Sequence, residues 1–97
     1  MALITEAEFA RICSGIKADS ESIVKFNPIG TREDILTWML LSCLVTYLSL
    51  TDEETPCFPG RPDSRSYREA IAFILRTRSD GDFEPGPYID AMLKYDH

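Results

Sequence analysis

Residues 35–50, ILTWMLLSCLVTYLSL, carry no charge, and twelve of the sixteen are apolar. A run of this kind must be buried, paired or placed in lipid, and it dominates what the chain can become. As a helix it spans about 24 Å, short of the roughly 30 Å hydrocarbon core of a bilayer. Acidic residues stand at both ends, Glu33 and Asp34 before it and Asp52 to Glu54 after it, which argues against a membrane span. An amphipathic surface helix buries one face, whereas this one is apolar nearly all round. Its polar members are Thr37, Ser42, Thr46 and Ser49. The last three share a stripe about 60° wide on a helical wheel.

With 97 residues the chain has room for one domain and a modest core. Hydrophobic residues at 44% and charged residues at 27% are globular values, not those of a disordered chain. The net charge of −6 repels phosphate backbones and anionic lipid on average. Cys13, Cys43 and Cys57 are odd in number and lack CxxC spacing, so they offer neither a disulfide framework nor a zinc signature. That usage fits a reducing cytoplasm. The start, Met-Ala-Leu-Ile-Thr-Glu, lacks the basic and long apolar regions of a signal peptide.

The remaining pattern is helical almost throughout. Thr5 and Glu8 have capping-box spacing. Phe9, Ile12, Cys13, Ile16, Ser20, Ile23 and Val24 keep one phase, giving a helix over about 6–26 that Gly15 or Ala18-Asp19-Ser20 can interrupt. Asn27-Pro28 stops it. Thr31 caps the next helix, about 32–50. After a loop over 51–64, a helix of about 65–78 is capped by Ser66 with Glu69, or by Asp63 or Ser64, and buries Tyr67, Ala70, Ile71, Ile74 and Leu75. Gly81 is placed for a left-handed cap. Pro87 opens a short last helix, about 87–95, with Tyr88, Met92 and Tyr95 facing inward and Ile89 and Leu93 beside them. No β-alternation of useful length, repeat or low-complexity tract is visible. The expected fold is all-α: three main helices, about 6–26, 32–50 and 65–78, a short fourth, and the 32–50 helix central in a single domain spanning 1–97.

Three main helices, one of them central, can hardly enclose the uncharged run. Either it is simply the core, or part of it is a subunit interface. The second reading places Trp38, Ser42, Val45, Thr46 and Ser49 at a symmetric homodimer contact.

Two further segments attract attention. In the loop, Pro59-Gly60 fits a type II turn and brings Phe58 and Arg61 together beside Cys57. Arg61, Arg65, Arg68, Arg76 and Arg78 lie close in sequence against Asp63 and Glu69. Cys57, Phe58, Arg61, Arg65 and Arg68 are therefore the candidate contacts for a protein partner or a small anionic ligand. The plainer readings are a structural connection and a solvated face of ion pairs. Asp80-Gly81-Asp82-Phe83-Glu84 starts like a calcium loop, but Pro85 and Ala91 occupy positions that require glycine and glutamate.

No phosphate-binding glycine loop, GxSxG or HExxH occurs, and the only histidine is His97, the last residue. The sequence thus calls for no catalytic residue, metal or cofactor. It reads as a cytoplasmic homodimeric helical module that binds a protein partner or ligand. The alternative is a small-molecule or enzymatic site around Cys57, Phe58 and the arginines. A DNA-associated regulator is weaker still, because the net charge and the long loop both oppose helix-turn-helix binding of nucleic acid.

Overall fold

The computed structural model describes residues 2–20, 22 and 31–94. Within them, four helices form: α1 (Glu6–Ala18), α2 (Arg32–Tyr47), α3 (Ser64–Arg78) and α4 (Gly86–Leu93). Two-residue strands β1 (Ile4–Thr5) and β2 (Ser79–Asp80) pair in parallel, Ile4 opposite Ser79 and Thr5 opposite Asp80. A small all-helical bundle with a short last helix is what the periodicity predicts, and it is what forms.

Each start is fixed by local chemistry. The Thr5 hydroxyl accepts the Glu8 N–H at 3.1 Å while the Glu8 carboxylate accepts the Thr5 N–H at 3.1 Å. The same reciprocal box joins Thr31 and Asp34 at the start of α2. For α3 the cap is Asp63, not Ser66: its Oδ1 accepts the Ser66 N–H at 3.0 Å and the Ser66 hydroxyl at 3.1 Å. Aspartate one residue before the helix already meets the free donors, so Ser66 serves as their source.

The ends differ more from expectation. Helix α1 stops at Ala18 with Asp19 as C-cap, eight residues before the predicted end at 26. Asp and Ser compete with the helix for backbone hydrogen bonds, and the Ala18-Asp19-Ser20 interruption prevails. The predicted positions Ile23, Val24 and Phe26, and likewise Tyr95, lie outside the described residues. Helix α2 ends at Tyr47 instead of Leu50. Leu50 N–H bonds to the Val45 carbonyl at 3.0 Å and Ser49 N–H to that of Thr46 at 3.2 Å. These are the two bonds of a Schellman ending, in which Ser49 takes the left-handed position at φ 52°. Glycine usually marks this site; a serine gives no signal in the sequence.

Helix α2 is the centre, packing against α1, α3 and α4. Leu36, Leu40 and Leu44 are fully buried, with Ile35, Leu41 and Leu48 nearly so. Thr37 is also sealed in, and its hydroxyl donates to the Glu33 carbonyl at 2.6 Å, so no polar group is stranded. From α1 come Phe9, Cys13 and Ile16; from α3, Ala70, Ile71, Ile74 and Leu75; from α4, Ile89 and Met92. Tyr67 and Tyr88, expected inside, are half-buried at the edge. Tyr88 lies edge-on to Phe9, ring centroids 6.0 Å apart, and its hydroxyl donates to Glu6 at 2.5 Å.

The short strand pair is the element that hydrophobic alternation misses, since two residues carry no period. It seats Ile4 in the core beside the end of α3. Arg78 reinforces it by donating to the Ala2 carbonyl and to the Glu54 carboxylate. Among the described residues, no helix is long and apolar enough to cross a membrane.

Candidate functional site

One side of α2 stays uncovered. Trp38, Ser42 and Thr46 stand at i, i+4 and i+8, so they form one row along the helix. Trp38 keeps 51% of its surface exposed and Tyr47 keeps 45%, although both belong to an otherwise apolar segment. On the neighbouring helix α1, Arg11, Gly15 and Asp19 form a matching row, with Ile12 and Ile16 beside it. The two rows, with Met39 and Cys43, are the sides of an open trough of about 670 Å³.

Its shape follows from residue size. A Cβ built on Gly15 meets nothing within 4 Å, so the α1 side is open at its middle. Ser42 is the corresponding small residue on α2. Tyr47 shares a smaller hollow with Glu8, Arg11 and Ile12, which puts the end of α2 beside the early turns of α1. The helices therefore run in opposite directions. The trough is narrow-walled at its centre and aromatic towards its ends.

Its chemistry is simple. Arg11 and Asp19 are the charged residues among those that line it. Burial pushes the half-buried Cys43 thiol up from its ordinary range, which keeps it protonated and a poor nucleophile. Among the described residues no group of three or more His, Cys, Asp or Glu side chains is arranged to hold a metal ion. A surface of this composition removes apolar area from water when covered, and it offers no paired acid and base for a reaction.

The expected interface residues divide. Trp38, Ser42 and Thr46 line the trough. Val45 instead packs against the core, and Ser49 sits in the turn that closes α2. Sequence reasoning found the α2 row but not its α1 counterpart. The signal for the latter was present as a glycine inside a helical pattern, with Arg11 and Asp19 four residues to either side.

The loop candidates divide too. Cys57, Phe58 and Arg61 line a shallow hollow of about 430 Å³ together with Pro56, Glu69 and Phe73. Gly60 has φ 92°, as the turn at Pro59-Gly60 requires. Phe58 lies edge-on to Tyr67, centroids 5.5 Å apart, so this ring is anchored to α3. Cys57 is exposed instead of packed. Arg65 reaches Glu69 at 3.6 Å and Arg68 reaches Asp90 at 2.9 Å. With Arg78 on Glu54, these arginines engage separate carboxylates and do not converge on one point.

No known protein family, curated protein or solved structure matches the chain.

Proposed function

We propose that this chain is a protein-docking module that acts by binding, and that the α1–α2 trough is its binding surface. The observation that carries this reading is the exposure of Trp38 and Tyr47 on the rim of an apolar trough opened by Gly15. Aromatic residues of this kind supply most of the energy at protein interfaces, because they remove large apolar area at little entropic cost. The trough accepts a rod of helical width with an apolar face, the arrangement by which helices dock in grooves.

Trp38 is the only tryptophan, so its fluorescence reports on the trough directly. Either of two results supports docking: Trp38 is shielded from acrylamide as protein concentration rises, or in dilute protein it transfers energy to the apolar dye ANS. Each should be lost in Gly15→Leu, which fills the trough with a good helix former. A Trp38 freely quenched at every concentration, without transfer to ANS, overturns the reading.

A further inference from the structure

We infer that the occupant of the trough is a second copy of this chain, related by a two-fold axis that crosses α1 at Gly15 and α2 at Ser42. The inference rests on the docking reading and specifies its partner. Charge is the first support. Arg11 and Asp19 lie four residues to either side of Gly15, on the same row and both at the trough. An axis through Gly15 lays α1 across its own copy in the opposite direction. Arg11 of each copy then meets Asp19 of the other, and one axis makes two opposite-charge contacts. The alternative two-fold, parallel to the helices, sets α1 over the second copy's α2 and leaves both charges opposite apolar or aromatic residues.

Size is the second support. The same axis crosses α2 at Ser42, so Trp38 of one copy falls over Thr46 of the other, large against small. At the centre, Gly15 and Ser42 meet their own counterparts, where small side chains let helices approach closely. Area agrees. The chain exposes 6377 Å², against about 5,600 Å² for a compact monomer of 11.0 kDa. The excess, roughly 750 Å², comes close to what a standard interface covers on each partner.

The test is sedimentation equilibrium on the full chain, with circular dichroism to check folding of each variant. Wild type should be dimeric. Arg11→Asp sets carboxylate against carboxylate at both contacts, and Asp19→Arg sets guanidinium against guanidinium. Each should weaken self-association by about tenfold. Mixing the two single variants should restore association as a heterodimer. One of its two contacts then joins the introduced aspartate to the introduced arginine, and the other joins the native Arg11 to the native Asp19. A structural role of either residue within its own chain does not produce rescue on mixing. A wild-type dimer indifferent to both variants overturns this two-fold. A chain that stays monomeric to millimolar concentration, yet transfers Trp38 energy to ANS, overturns the second copy and leaves the docking reading standing. A monomer without that transfer overturns both.

Discussion

The carboxylate of Asp34 accepts the backbone N–H of Ser64 at 2.7 Å, so a residue in the first turn of α2 also caps the first turn of α3. Its other oxygen accepts the Thr31 N–H at 3.2 Å. One side chain therefore satisfies donors at two helix starts that are thirty residues apart in sequence. Asp34→Ala should cost about 1–2 kcal/mol, the typical loss for a helix cap with a second hydrogen bond added. Urea denaturation followed by circular dichroism measures it. Asp34→Asn keeps an acceptor and should fall between wild type and the alanine variant.

Acid should destabilise the fold through the same contacts. Burial pushes the Asp34 carboxyl up, but hydrogen bonds from Ser64 and Thr31 outweigh it and hold the group below its ordinary 3.8. Glu54 is held below 4.5 by hydrogen bonds from Arg78 and Thr51. Glu8, bonded to Thr5, and Asp63, bonded to Ser66, are lowered as well. In each case the folded state binds its proton later than the unfolded state does as pH falls. The stabilisation is therefore complete above about pH 5 and is lost as pH falls through the folded-state values. Urea midpoints should drop between about pH 5 and about pH 3, and Glu54→Gln should make the drop shallower. A midpoint unchanged across that interval refutes the assignment of these carboxylates.

The end of α2 offers a gain in stability. Ser49 holds φ 52°, a region that costs a residue with a Cβ about 1 kcal/mol relative to glycine. Ser49→Gly should raise stability by up to that amount, read as a higher urea midpoint with an unchanged slope. Gly15→Ala should also stabilise, by about 0.5–1 kcal/mol, since the position is helical and its Cβ has open space. A loss of stability in either variant would contradict the geometry described at that residue.

How legible these features were depends on range. Caps at Thr5 and Thr31 read directly from sequence because the partners lie three residues on. So did the four helices and the central role of α2, whose leucines repeat at helical spacing. The termination of α2 did not, because the left-handed residue is Ser49 instead of glycine. The strand pair joins Ile4 to Ser79, a contact that no local window spans. The trough was half visible. Trp38, Ser42 and Thr46 form a row by spacing alone, but only packing decides that Arg11, Gly15 and Asp19 form the opposite wall. Val45 was assigned to that surface from its nearness in sequence to Thr46, yet it packs against the core.

The three cysteines separate the core from the surface in a way that chemistry can read. Cys13 is buried in α1 against the core, and burial pushes its thiol up to about 12. Cys43 is half-buried at the trough and also raised. Cys57 is exposed in the loop. Thiolate is the reacting species, so access and acidity act together. In native protein, Ellman's reagent should modify Cys57 first, Cys43 more slowly and Cys13 only on unfolding. Mass spectrometry of partially reacted protein assigns the order. Rising protein concentration should slow Cys43 further if the trough is covered, while the rate at Cys57 stays constant. Rapid reaction of Cys13 under native conditions would mean that the packing of α1 on α2 opens readily.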